Sequence, residues 1–169
     1  MLCELRLLPV LLRLPAEELP TGLLLGLLLS SGRTVLFVCV GNAGRSLMAE
    51  AIFNADPPTG WIAESAGTEP AAHTNPRTEA MLREIGIPMP AHPPQLLTNA
   101  MIDRASRRFT MGCLDRQSCP ARLKGAPLTD WQLPDPAGLD DTGFRRVRDE
   151  IRSRVAVLRS ELSAAQPAR

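Results

Sequence analysis

TVLFVCVGNAGRSLMAE, Thr34 to Glu50, decides how the rest of the chain is to be understood. Val35-Leu36-Phe37-Val38 is a short apolar run without polar alternation, the pattern of a strand buried on both faces of a parallel sheet. Ser46 to Phe53 consists of helix formers with apolar residues three and four apart. Between them, Cys39-Val40-Gly41-Asn42-Ala43-Gly44-Arg45 places a cysteine and an arginine on a turn that carries two glycines. The order predicted is strand, tight loop, helix N-terminus.

Such a loop suits one kind of ligand. Gly41 and Gly44 permit backbone angles closed to other residues, so successive N–H groups can curl around an anion. The first helical turn adds amides without intrahelical partners and the positive end of the helix dipole. Arg45 supplies a planar fork of donors for two oxygens of a tetrahedral oxyanion such as phosphate or arsenate. The same positive field favours Cys39 as a thiolate, which is both nucleophile and redox centre. Val40, Gly41, Asn42, Ala43, Gly44, Arg45 and Ser46 are therefore the expected binding cradle, and Cys39 the attacking group. Taken singly, a strand-end cysteine is usually a small buried hydrophobe and an arginine after a turn a solvated charge; it is the combination that is specific. A nucleotide P-loop needs a lysine before the Ser/Thr and a longer glycine spacing.

VLFVCVGNAGRSLMAE resembles the active-site loop of the low-molecular-weight protein tyrosine phosphatase superfamily, which includes phosphatases and thioredoxin-coupled arsenate reductases. The similarity runs from about Thr34 to about Leu162. It implies an α/β fold, a four-stranded parallel sheet with helices on both faces, of the phosphatase-I-like kind. Which of the two activities applies depends on the remaining sequence.

With 169 residues the chain is long enough for one domain with its own core. A net charge of +1, with both signs interspersed, gives no reason to expect nucleic acid or an anionic membrane as partner. Of the four cysteines, Cys39 lies in the anion loop and Cys113 and Cys119 lie close together far downstream, a placement that reads as intracellular, cytoplasmic redox chemistry rather than a disulfide scaffold. No cofactor is called for.

Residues 1–33 are leucine-rich but broken by Pro9, Pro15 and Pro20. Their uninterrupted apolar part, about Gly22 to Leu29, falls far short of the roughly 20 residues that cross a bilayer. Glu4, Glu17 and Glu18 do not suit the basic start of a signal peptide. This segment, with Cys3, is expected to be a poorly ordered extension without catalytic role; residues 34–163 form the expected domain and 164–169 a frayed tail.

Trp61 to Gly67 reads as a second strand ending in Ser-Ala-Gly, and the resemblance gives Ser65 a part in shaping the loop. Asn75, Pro76 and Gly86 punctuate a helix as N-cap, first residue and stop. Leu97 to Asp103 suggests a further short capped helix. His73 and His92, the only histidines, match no zinc spacing and read as surface or locally bonded residues in Pro-rich loops. No metal is expected. In relatives, however, the counterpart of Asn42 braces the loop within a network that includes a monovalent cation, and by resemblance this network would involve Glu50 and Ser65.

Arg107 to Met111 reads as the third strand, running into Gly112-Cys113 and, past a polar segment, Cys119-Pro120. A cysteine at the C-terminal end of that strand lies on the same sheet edge as Cys39. Three cysteines make a relay chemically coherent: Cys39 attacks arsenate, Cys113 attacks the Cys39 sulfur and expels arsenite, and Cys119 carries the disulfide to a partner dithiol. A phosphatase needs only the first. Thr110-Met111-Gly112-Cys113, Cys119-Pro120, Trp131 and Asp135-Pro136-Ala137-Gly138 resemble the corresponding run of thioredoxin-coupled arsenate reductases. The resemblance makes Asp135 the general acid. The superfamily's tyrosine phosphatases follow that Asp-Pro with an aromatic; here Ala137 and Gly138 follow, and the chain has no tyrosine. Asp135 also suits a plain turn. After a short strand near Leu128 to Trp131, Thr142 to about Leu162 places Phe144, Val147, Ile151, Val155, Leu158 and Leu162 on one helical stripe, with arginines and acids expected on a solvated face.

The resulting expectation is an arsenate reductase served by thioredoxin or a similar dithiol protein. A phosphatase acting on phosphate esters and a non-catalytic oxyanion or redox sensor remain the alternatives.

Overall fold

The computed structural model describes residues 32–112, 123 and 128–165. Cys3, Cys113 and Cys119, the N-terminal extension up to residue 31 and residues 166–169 lie outside them. Strand β1 (Arg33–Cys39) is followed by α1 (Arg45–Asn54), β2 (Trp61–Gly67), α2 (Pro76–Arg83), α3 (Asn99–Arg104), β3 (Ala105–Thr110), β4 (Leu128–Asp130), a 3-10 turn (Pro136–Gly138) and the long α4 (Asp141–Ala164). The sheet order is β2-β1-β3-β4, and every pairing is parallel. No helix among the described residues is long and apolar enough to cross a membrane.

β1 is central because its side chains suit both faces. Val35, Phe37 and Cys39 enter a core with α1, α2 and α4. Leu36 and Val38 enter a second core with Met101 and Ile102 of α3 and with Leu123. Phe37 is the hub of the first core: its ring lies 5.5 Å from Phe109, 5.4 Å from Trp131 and 6.3 Å from Phe53, centroid to centroid. Truncating such a ring costs about 3–5 kcal/mol.

The helix signals hold at the caps. Asn75 accepts from Arg77 N and Thr98 from Met101 N, while Gly86 has the positive φ of a helix stop, 71°. The six apolar residues of the α4 stripe are all buried. The solvated face expected opposite them is only partly so. Arg148 is buried, donating to Met81 O, Glu84 and Asp149, because α2 ends against α4 and brings Glu84 to it. α1 also differs from a one-sided helix. Every residue from Arg45 to Phe53 is buried, since α1 lies between the sheet, the strand β2 and α4.

The register brings the functional edge together. Cys39 stands opposite Gly67, Val38 opposite Thr110 and Thr110 opposite Asp130. Beyond the ladder, Trp131 N donates to Thr110 O and Leu133 N to Met111 O, so the Asp135 segment hangs from the end of β3.

Candidate active site

Cys39 sits at the bottom of the loop, buried at 3 % exposure. Its Sγ accepts from Asn42 N at 3.1 Å and lies 2.9 Å from Ser46 Oγ. Two donors on one sulfur favour the thiolate. Gly44 is the N-cap of α1, and no side chain caps that helix. A serine or aspartate there would bond the first-turn amides itself; glycine leaves them to the loop.

The loop's left-handed residue is not a glycine. Asn42 has φ 46°, while neither Gly41 nor Gly44 is at positive φ. Asparagine tolerates this region better than most residues, and here its side chain fixes it. Asn42 Nδ2 donates to Ser46 Oγ and Ser65 Oγ, and its Oδ1 accepts from Gln95 N. The glycine required by space is Gly67 of β2, where a Cβ would stand 2.4 Å from Val40 O and 3.0 Å from Asn42 N. The Ser-Ala-Gly strand end is thus where the loop backbone rests on the sheet.

The loop's outer side is held by a strap that the sequence did not announce. Thr68 N donates to Cys39 O, Glu69 N to Val40 O, Ala71 N to Gly41 O and Asn75 N to Ala43 O. Thr78 Oγ1 adds a second donor to Ala43 O, at 3.0 Å.

Beneath the loop runs a buried polar chain. Ser65 Oγ donates to Glu50 Oε2 at 2.5 Å, and Asn42 donates to the same Ser65 oxygen at 2.8 Å. Because Asn42 also donates to Ser46 Oγ, the Ser46 hydrogen is left to point at Cys39 Sγ. The polarity set by the Glu50 carboxylate is passed to the cysteine. His92 closes the chain at the other end. Nε2 lies 3.0 and 3.1 Å from the two Glu50 oxygens, and Nδ1 2.8 Å from Pro93 O. Both ring nitrogens face acceptors, which calls for the doubly protonated imidazolium. Burial opposes that charge, but the bonds to Pro93 O and Glu50 and the charges of Glu50 and Glu64 outweigh it and raise the His92 pKa above 6.5. A monovalent cation among Asn42, Glu50 and Ser65 does not fit this arrangement, since the carboxylate oxygens already face Ser65 and His92. Among the described residues, no three His, Cys, Asp or Glu side chains are grouped to hold a metal ion.

Arg45 joins the loop to the opposite wall. Its Nη1 donates to Leu133 O at 2.9 Å and approaches Met111 O at 3.4 Å, and its Nη2 lies 3.2 Å from Asp135 Oδ2. Asp135 Oδ1 accepts from Ala137 N, so the turn-forming and site-facing roles coexist on one carboxylate. Sequence reading located Cys39, Arg45, Ser46 and Asp135, which the structure brings together. It placed His92 among local contacts, gave the Ser-Ala-Gly end a part in shaping the loop without naming Gly67, and gave none to Thr78 or Gln95. Cys113 follows Gly112 directly, but both resolving-cysteine candidates lie outside the described residues.

Comparison with known proteins accords with this geometry. A family model described as low molecular weight phosphotyrosine protein phosphatase matches residues 34–168. The chain belongs to that family. Within this phosphatase family it is 34 % identical over 124 residues to arsenate reductase 1 of Staphylococcus epidermidis, covering 73 % of this chain and 92 % of that one. The thioredoxin-dependent arsenate reductase of Corynebacterium glutamicum superposes with a TM-score of 0.66 at 29 % identity, over 86 % of this chain and 74 % of that one. The YwlE arginine phosphatase of Geobacillus stearothermophilus gives 0.69 at 25 % identity, over 81 % and 99 %. The chain is thus similar both to proteins named arsenate reductases and to one named an arginine phosphatase.

Proposed function

We propose that this protein is an arsenate reductase in which Cys39 is the nucleophile and Arg45, Ser46 and the amides of Val40 to Gly44 bind the oxyanion. The observation that carries the reading is the pair of donors on Cys39 Sγ, Asn42 N and Ser46 Oγ, in a loop whose arginine meets Asp135. The thiolate attacks arsenic, an S–As bond forms, and one As–O bond breaks as Asp135 delivers a proton to the departing oxygen. Cys113 as thiolate then attacks Cys39 Sγ. The S–As bond breaks, its electron pair stays on arsenic, and arsenite leaves as the Cys39–Cys113 disulfide forms. Cys119 takes over the bond to Cys113 and frees Cys39, and a thioredoxin-type dithiol reduces the Cys113–Cys119 disulfide. The work belongs in the cytoplasm, where such dithiols are kept reduced. The 34 % identity to an arsenate reductase, and the small residues Ala137 and Gly138 after Asp135-Pro136, support reduction over aryl phosphate cleavage.

A phosphatase is the second reading, favoured by the likeness to an arginine phosphatase and by the fact that Cys39, Arg45 and Asp135 suffice for it. Arsenate-dependent NADPH consumption with thioredoxin and its reductase, run beside aryl phosphate hydrolysis, separates the two. Arsenate turnover in the wild type that is lost in Cys113→Ser supports the relay. Brisk ester hydrolysis indifferent to Cys113, without arsenate turnover, makes the protein a phosphatase. A loop that binds oxyanion but turns over neither is a sensor.

A further inference from the structure

Each loop carbonyl that the strap holds also fixes an amide. A trans peptide is planar, with its C=O and the next residue's N–H pointing in opposite directions. Anchoring a carbonyl outward therefore aims the following N–H inward. The structure contains a direct instance: Ala71 N holds Gly41 O, and the N–H of the same peptide, on Asn42, points at Cys39 Sγ. Two peptides further along, Ala43 O is held by two donors, Asn75 N at 3.1 Å and Thr78 Oγ1 at 3.0 Å. The N–H at the other end of that unit belongs to Gly44, the uncapped start of α1.

We propose that Thr78 is a positioning residue of the anion loop: its hydroxyl keeps the Ala43–Gly44 peptide turned so that the Gly44 N–H faces the bound oxyanion. This rests on the reading that the loop binds an oxyanion. Thr78 is fully buried, and a buried hydroxyl needs a partner; its donation to Ala43 O supplies one. Were the peptide to turn over, a carbonyl oxygen would meet the anion in place of an amide hydrogen, changing an attractive dipole into a repulsive one. No side chain at Gly44 restrains the peptide from within the loop, so its orientation is held by the two donors to Ala43 O, of which Thr78 supplies one. A Cβ there would touch Thr78 Oγ1 only at ordinary contact distance, 3.6 Å.

The test uses the full chain and inorganic phosphate as probe. Titration calorimetry compares the wild type with Thr78→Ser, Thr78→Ala and Thr78→Val, and the Tm of each is measured with and without phosphate. Ser and Ala lose the same methyl group and differ only in the hydroxyl, so this pair decides even if the valine variant does not fold. The phosphate Kd is expected to rise about fivefold in Ala and Val, the worth of one hydrogen bond, and to stay within about twofold in Ser. A purely structural Thr78 lowers the Tm without phosphate and leaves Ser and Ala equal in Kd, and that equality overturns the proposal. A wild type that binds neither phosphate nor arsenate instead overturns the reading of the loop itself, and this proposal with it.

Discussion

The two walls of the site are built on opposite terms. The loop from Cys39 to Arg45 is tied down on every side, by the strap on its carbonyls, by Gly67 beneath its backbone and by Asn42 within it. The facing segment carries Asp135 at 65 % exposure, and that carboxylate is bonded to Ala137 N and paired with Arg45. An anion-binding wall loses least when its donors need no rearrangement on binding. The acid proposed at Asp135 faces the reverse demand, because an incoming oxyanion would compete with it for the same guanidinium. Arg45 is the point at which the buried wall and the exposed one meet.

Replacing the proposed acid has the largest expected effect. Asp135→Asn lowers kcat by about 10²–10⁴-fold, as loss of a general acid does. Inorganic phosphate binds equally well or up to about fivefold tighter, because an exposed competitor for Arg45 is gone. Steady-state kinetics and calorimetry together check this split; weaker phosphate binding would mean that Asp135 belongs to the fixed wall. Gly67→Ala tests that wall directly. Backbone atoms of Val40 and Asn42 stand where the new Cβ must go, so stability falls by about 1–3 kcal/mol, read by urea unfolding, and phosphate binding falls with it. Unchanged binding in a destabilised variant would show that the loop tolerates displacement.

His92→Gln probes the polar chain through pH. The folded-state pKa of His92 is raised, so its stabilisation is fully present below about pH 6.5 and fades as pH rises through the higher folded value. The Tm advantage of wild type over the variant, on the order of 2 °C, should shrink as pH rises above 6.5; a constant gap would leave the imidazolium without a role. Glu84→Gln, remote from the site, should do least. The bonds from Arg145 and Arg148 lower the Glu84 pKa from 4.5 to about 2, so the variant's small deficit in Tm at neutral pH disappears as pH falls from 4.5 toward 2.

What could be recognised from sequence was what neighbouring residues settle among themselves. The apolar run of β1, the Asn75-Pro76 helix start and the stripe from Phe144 to Leu162 each carry their signal within one element, and the Cys39 to Arg45 loop concentrates its chemistry in seven positions. What escaped depends on contacts between distant segments. His92 meets Glu50, and Thr78 meets Ala43, only after β2 and its following segment fold back over the loop. The resemblance gave the Ser-Ala-Gly end a part in shaping the loop, but Gly67's own need for glycine comes from the Val40 backbone just past the neighbouring strand, which no local pattern carries. The left-handed place in the loop belongs to Asn42, whose side-chain bonds hold it there, while Gly44 takes φ −145° and ψ −93°, outside the regions open to other residues.

A cradle made mainly of peptide hydrogens and one guanidinium reads shape and charge, and in those respects phosphate and arsenate are close analogues. Selectivity on the proposed reading is therefore decided after capture, by the fate of the bond to Cys39 Sγ. An S–P adduct has no accessible two-electron exit and returns to phosphate through attack by water, whereas an S–As adduct surrenders its electron pair to arsenic when a second thiol arrives. The abundant anion occupies the site reversibly and slows it without being consumed. Sorting by reactivity instead of affinity leaves the working rate exposed to phosphate, and where phosphate saturates the site it is the ratio of the two anions that sets that rate.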